Sequence, residues 1–133
     1  MTGARTVQLV FDSSAITSWL RGSLAVGETL AEIDDEHGAV LIPLWCLVEA
    51  GHATGMLDRD RLDLLLAHPA TALIVDDGGD WDALVALQQL TGRPDCASAA
   101  MMAIHMDVDV MTCHPDRYAD VDGGRRTLEV IDE

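Results

Sequence analysis

Lysine is absent: all eight basic side chains are arginine, set against 23 acidic ones, for a formal net charge of −15 at pH 7. A protein that holds nucleic acid by non-specific charge carries a basic surplus, and this chain carries the reverse. The balance fits a cation-binding site or a basic protein partner better, and it fits plain solubility equally well. A bound divalent metal would invert the field locally, and salt screens charges more than about 8 Å apart. Also missing is an apolar run long enough to cross a bilayer; the longest, Val40 to Val48, is interrupted by Pro43. The N-terminal Met1-Thr-Gly-Ala-Arg-Thr6 has no apolar signal core. A cytoplasmic protein with no membrane association is therefore expected. Cysteine is scarce and odd in number. Cys46, Cys96 and Cys113 show no C-x-x-C spacing, which argues for reduced, buried thiols rather than a disulfide frame or a zinc site. Gly78-Gly79 has neither the lysine nor the spacing of a phosphate loop. There is no G-x-S-x-G elbow, which sets aside the serine hydrolases of α/β design.

Almost half of the residues are apolar, 49%, in a chain of ordinary one-domain length, so a single domain over residues 1–133 is expected. Val7–Phe11 reads as a strand that ends abruptly in Asp12. Ser13–Arg21 follows as a helix with Ile16, Trp19 and Leu20 on one face and Gly22 as its stop. A second helix, Leu24–Glu36, turns Val26, Leu30 and Ile33 inward and an acidic face outward. Ala39–Ile42 is a short continuous strand, and Pro43 opens the helix Leu44–Ala53. Trp45, Glu49 and His52 share one side of that helix.

The spacing predicts further helices over Asp58–His68, with Asp58 as cap, and over Trp81–Leu90, with Asp80 as cap. Between them lies the strand Thr71–Val75. A helix capped by Asp95 runs to about Met106 and is apolar nearly all round, the mark of a buried element. Strands at Val108–Thr112 and Leu128–Ile131 complete the chain. Alternating strands and helices predict an α/β fold: three layers, α/β/α, around a central parallel sheet of four to five strands.

Three acids stand in places that a solvated face does not explain. Asp12 ends the first strand, Glu49 sits in an otherwise apolar helix, and Asp95 starts the most buried helix. Parallel strands end on one side of a sheet, where open α/β folds place their ligands, so the three can converge. Clustered carboxylates repel and hold their protons unless a cation neutralises them. Oxygen-only ligands of this kind suit Mg²⁺ or Mn²⁺, and such an ion supports metal-assisted hydrolysis of nucleic acid. Taken singly each acid is a weak signal: Asp12 and Asp95 are plausible as helix caps, whereas Glu49 is harder to explain away because Leu47, Val48, Ala50 and Gly51 around it are apolar or small. Ser14 and Thr112 are placed either to hydrogen-bond the carboxylates or simply as cap and strand-end residues. His52 is either a cleft residue or a surface one.

Four segments carry a resemblance: Leu9-Val-Phe-Asp-Ser-Ser-Ala-Ile16, Ile42-Pro-Leu-Trp-Cys-Leu-Val-Glu49, Pro94-Asp-Cys-Ala-Ser-Ala-Ala100 and Val110-Met-Thr-Cys-His-Pro-Asp-Arg-Tyr118. In order and over nearly the whole chain, they resemble a PIN domain, and at this length the ribonuclease toxins of VapC type. The resemblance implies a parallel sheet and a Mg²⁺- or Mn²⁺-dependent endoribonuclease, a hydrolase acting on RNA. It also implies a homodimer and a small antitoxin, basic where it blocks the site, which suits the acidic charge. Asp12 and Asp95 would be the principal metal ligands, and Glu49 would complete the set or position the attacking water.

The chain departs from the family at one position. An acid is usual two residues after the threonine of the fourth segment, and here that place holds His114, with Asp116 the nearest acid. Either His114 serves as a neutral ligand, which favours Mn²⁺ over Mg²⁺, or Asp116 swings in past the stiff Pro115. In the third reading the metal position is lost, leaving a PIN-fold protein that acts as a non-catalytic binding or regulatory module.

Overall fold

The computed structural model describes residues 5–56 and 58–132. Its strands are β1 (Thr6–Phe11), β2 (Gly38–Pro43), β3 (Thr71–Ile74), β4 (Asp109–Thr112) and β5 (Thr127–Glu129). The helices are α1 (Ser13–Leu20), α2 (Leu24–Asp35), α3 (Leu44–Thr54), α4 (Arg59–Ala67), α5 (Trp81–Thr91) and α6 (Pro94–Met106), with short 3₁₀ turns between β4 and β5. The strands form one sheet in the order β3-β2-β1-β4-β5, and every pairing is parallel. Helices on both faces make this the expected three-layer α/β/α, PIN-like arrangement.

Placement in the sheet follows from hydrophobicity. All six positions of β2 are buried, as a strand covered on both faces requires. β1 lies between β2 and β4, with Leu9 opposite both Val40 and Asp109 and Phe11 opposite Met111. That register brings the end of β1 beside the end of β4, where the Asp12 N–H donates to the Met111 carbonyl at 3.3 Å. The edge strand β3 is short and exposes Leu73. No described helix is long and apolar enough to cross a membrane.

α6 is the central packing element. Nine consecutive residues, Asp95 to Ala103, are buried, and four of them are alanines that let the helix approach the sheet, α3 and α5 closely. The same core holds Phe11, Ile16, Leu20 and Ile42; full burial of such a side chain contributes about 1.5–3 kcal/mol. Two glycines are required by backbone geometry. Gly22 (φ 84°) turns the chain from α1 into α2, and Gly92 (φ 77°) ends α5 and redirects it into α6.

The helix starts differ in detail from the expected caps. Asp12 does cap α1, accepting from the Ala15 N–H. Asp58 and Asp80 occupy cap positions but make no side-chain capping bond. Asp95 is not a cap: Arg93 holds that position and Pro94 the first helical one, so Asp95 falls within the first turn. Proline is favoured at that first position because its missing N–H has no partner there anyway. The thiols divide too. Cys46 and Cys96 are buried, whereas Cys113 is partly exposed at the end of β4, because the chain there turns outward over the strand ends.

Candidate active site

Asp12 is sealed from solvent, with 0% exposure. β1 delivers it to the sheet's carboxyl edge, and the first turn of α1 folds around it. Its Oδ1 accepts from Ser14 Oγ at 2.6 Å and from the Ala15 N–H at 3.0 Å, while Oδ2 accepts from the Tyr118 hydroxyl at 2.8 Å. Since the single Ser14 proton goes to Asp12, the 3.3 Å contact between Ser14 Oγ and Thr112 Oγ1 has Thr112 as donor. The Cys113 N–H in turn donates to Ser14 Oγ at 2.8 Å. A chain of hydroxyls thus runs from the end of β4 to Asp12.

Asp95 lies one residue's reach away. Its Oδ2 accepts from Ser13 Oγ at 2.7 Å and from Arg93 Nη2 at 3.2 Å, and its Oδ1 accepts from Arg93 Nε at 3.0 Å. The same Arg93 Nη2 stands 3.2 Å from Oε1 of half-buried Glu49 on α3. Asp12 and Asp95 are therefore joined through adjacent Ser13, and Asp95 and Glu49 through one guanidinium. Ser14, Thr112 and the three acids of the sequence reading come together; Asp116 does not, being exposed on the 3₁₀ turn after β4. His114 is exposed and lines the cleft in front of the acids, and His52 is an exposed residue of α3 outside that lining.

The electrostatics follow from this packing. Burial pushes the Asp95 carboxyl up, but the hydrogen bonds from Arg93 and Ser13 outweigh it and hold Asp95 below its ordinary value. Bonding to Asp95 raises Arg93 further. Burial, and then the charge of Asp12, lift the Tyr118 phenol far above its usual range, so it remains a donor. Burial lifts the Cys96 thiol to about 11 and, together with Asp12 and Asp95, raises Cys46 as well.

The cleft in front of the acids has a volume of about 420 Å³. Ser13, Ser14, Glu49 and Arg93 line it, joined by Arg21 and Arg117, so both buried carboxylates sit one side-chain layer behind its wall. In kind and in charge, three carboxylates fit a hard divalent cation, and the Arg93 guanidinium between Asp95 and Glu49 shows that a cation is accommodated there. The arrangement is not a finished coordination shell. Among the described residues no three His, Cys, Asp or Glu side chains are grouped to hold one ion, and ligation by Asp95 and Glu49 requires Arg93 to release them.

Sequence reasoning missed Arg93 and Tyr118 as parts of this site. A signal for Arg93 exists, an arginine two residues before a buried acid across a helix-starting proline. For Tyr118 the signal is only its place at the end of the fourth segment, which does not point to a partner 106 positions away.

Comparison with solved structures places the fold. A toxin–antitoxin complex from Klebsiella pneumoniae superposes with a TM-score of 0.65 at 16% identity, covering 95% of this chain and 100% of that one. VapBC2 from Rickettsia felis, bound to a DNA fragment from its promoter, gives a TM-score of 0.69 at 11% identity over 92% of this chain and 98% of that one. The PAE2754 protein of Pyrobaculum aerophilum gives 0.62 at 19% identity over 96% and 93%. The chain shares the fold of these structures, a three-layer α/β/α, PIN-like arrangement. No family model matches the sequence, and neither does any curated protein.

Proposed function

We propose that this protein is an endoribonuclease serving as the toxin of a VapBC-type toxin–antitoxin pair, in which Asp12, Glu49 and Asp95 hold Mg²⁺ or Mn²⁺. The observation that carries the reading is the linkage of these three acids, through Ser13 and Arg93, at the carboxyl edge of a sheet shared with toxin–antitoxin structures. A divalent ion there would supply a Lewis acid for a phosphoryl oxygen and lower the pKa of a water.

The chain's own residues have distinct tasks. Tyr118, Ser14 and the Ala15 N–H fix both oxygens of Asp12, so the carboxylate is held in one orientation. Asp95, held below its ordinary pKa, is ionised at neutral pH and able to ligate once Arg93 releases it. Glu49, the most exposed of the three, is the one free to position a water at the cleft. His114 lines the cleft and Asp116 does not, which favours His114 as the peripheral group at the position where an acid is usual. The partners that go with this reading are an RNA substrate, a second copy of the chain, and a small antitoxin with a basic contact segment, all in the cytoplasm.

The test is RNA cleavage by purified protein with Mn²⁺ or Mg²⁺, side by side with Asp12→Asn. Cleavage by the wild type and its loss in the variant is the expected result. Equal cleavage by both would sink the reading. A second reading, a PIN-fold module without catalysis, is favoured by the Arg93 bridge together with His114. It predicts no metal-induced rise in melting temperature, whereas a site that binds metal gains about 2.7 kcal/mol at a metal concentration of 100 Kd.

A further inference from the structure

The arginines resolve the conflict between an acidic chain and an anionic substrate. Five of the eight are spent on carboxylates: Arg5 on Asp34, Arg59 on Asp63, Arg93 on Asp95, Arg125 on Asp122 and Arg126 on Asp107. Arg61 lies over the Trp19 ring, 5.7 Å from its centroid. Only Arg21 and Arg117 remain without a carboxylate or aromatic partner among the described residues, and both line the one cleft that fronts Asp12, Glu49 and Asp95. In a chain with 23 acids, two guanidinia that have no carboxylate partner among the described residues and line one cavity mark a place where an anion is expected from outside; Arg21 stands at its rim, also lining the neighbouring cleft of Glu28 and Asp132.

We propose that Arg21 and Arg117 form a clamp for the phosphodiester backbone of a single-stranded RNA, set beside the acidic site; the proposal rests on the ribonuclease reading and names how that site holds its substrate. Both side chains are carried by anchored backbone. Arg21 closes α1, its N–H bonded to the Thr17 and Ser18 carbonyls. Arg117 precedes Tyr118, which is fully buried and bonded to Asp12, and its own N–H donates to the His114 carbonyl at 3.0 Å. The guanidinium fork matches phosphate oxygens in bidentate geometry. Two such forks from separate elements suit consecutive phosphates of a strand, and the hydroxyls of Thr17 and Ser18, on the same lining, suit phosphate and ribose oxygens. An acidic peptide is the competing ligand for two arginines. RNA is favoured because, on the ribonuclease reading, the carboxylates behind the cleft hold a divalent cation that acts on a phosphodiester, and an acidic peptide offers that cation no such bond.

The test is fluorescence anisotropy with a short labelled single-stranded RNA, in EDTA so that nothing is cut, at salt concentrations from about 50 to 200 mM. Arg21→Gln and Arg117→Gln each weaken binding and lower the slope of log K against log salt by about 0.7, and the double variant by about 1.4. Arg125→Gln, at an exposed arginine away from the cleft, leaves both unchanged, and matched melting curves show that all variants are folded. A wild-type slope in the double variant overturns the clamp, as does displacement of the RNA by polyglutamate at lower concentration than by unlabelled RNA. If the double variant also cleaves RNA with unaltered KM while Asp12→Asn is dead, the clamp falls and the ribonuclease reading stands. If the wild type neither binds nor cleaves RNA, both fall.

Discussion

Tyr118 and Asp12, 106 positions apart, meet through a 2.8 Å hydrogen bond in which a fully buried phenol donates to a fully buried carboxylate. The bond ties the turn after β4 to the end of β1, and it carries one of the three donors that satisfy Asp12. Tyr118→Phe keeps the ring in the core and removes only the hydroxyl. A hydrogen bond to a charged group contributes about 1.5–3 kcal/mol, so thermal or urea unfolding should show a loss of that size. A loss below about 0.5 kcal/mol would mean that water or a shifted Ser14 takes over the oxygen. The same variant should impair RNA cleavage through a lower kcat rather than a higher KM, because the oriented carboxylate, not the cleft, is what changes.

Arg93 is the cation already resident among the acids, so it should compete with any that arrives. In Arg93→Gln the charge that holds Asp95 and Glu49 together is gone. Metal-free stability should fall by about 1–2 kcal/mol, a charged hydrogen-bond value discounted because the guanidinium is 33% exposed. Mn²⁺ affinity, read by calorimetry, should rise instead. Opposite signs in the two measurements are the signature of competition; a fall in both would make Arg93 a support for the metal rather than its rival.

Much of this fold is legible in the sequence because hydrophobicity and punctuation agree. The mostly apolar run Val7–Phe11 stops at one acid, Gly22 and Gly92 end their helices, and the nearly all-round apolar surface of Cys96–Ala103, with Ser98 the one exception, reads as a buried helix and is one. The position of Asp95 is less legible. Pro94 takes the first helical place and leaves Arg93, not a capping residue type, at the start. The site is visible as a set of acids but not as a network. Its closing bonds come from Tyr118, whose partner is 106 positions away, and from Arg93, whose local signal is only its place two residues before a buried acid. A total of −15 hides the fact that the cleft itself is lined by three arginines and one glutamate.

Asp95 makes a prediction for pH. Its folded pKa is lowered, so it contributes stability that is fully present above the unfolded value of about 3.9 and is lost as pH falls through the folded value. Asp95→Asn removes that contribution while keeping a side chain of the same size. The gap in melting temperature between wild type and variant should therefore be widest above about pH 5 and close as the pH drops below about 4. A gap that stays constant from pH 7 to 3 would show that shape, not charge, accounts for the residue's effect.

The thiols offer a direct probe of the cleft. Cys46 and Cys96 are buried and their thiols are raised by burial, to about 11 for Cys96, so both should resist an aromatic disulfide reagent in the folded protein. Cys113 is partly exposed, lines the cleft, and has its sulfur 3.0 Å from Ser18 Oγ. One thiol should react under native conditions and three in denaturant, and Cys113→Ser should abolish the native reaction. A bulky adduct there fills part of the cleft that Arg21 and Arg117 line, so modified protein should bind RNA more weakly, while the Cys113→Ser variant treated in the same way should bind as before. Modification that leaves RNA binding intact would place the nucleic acid elsewhere on the surface.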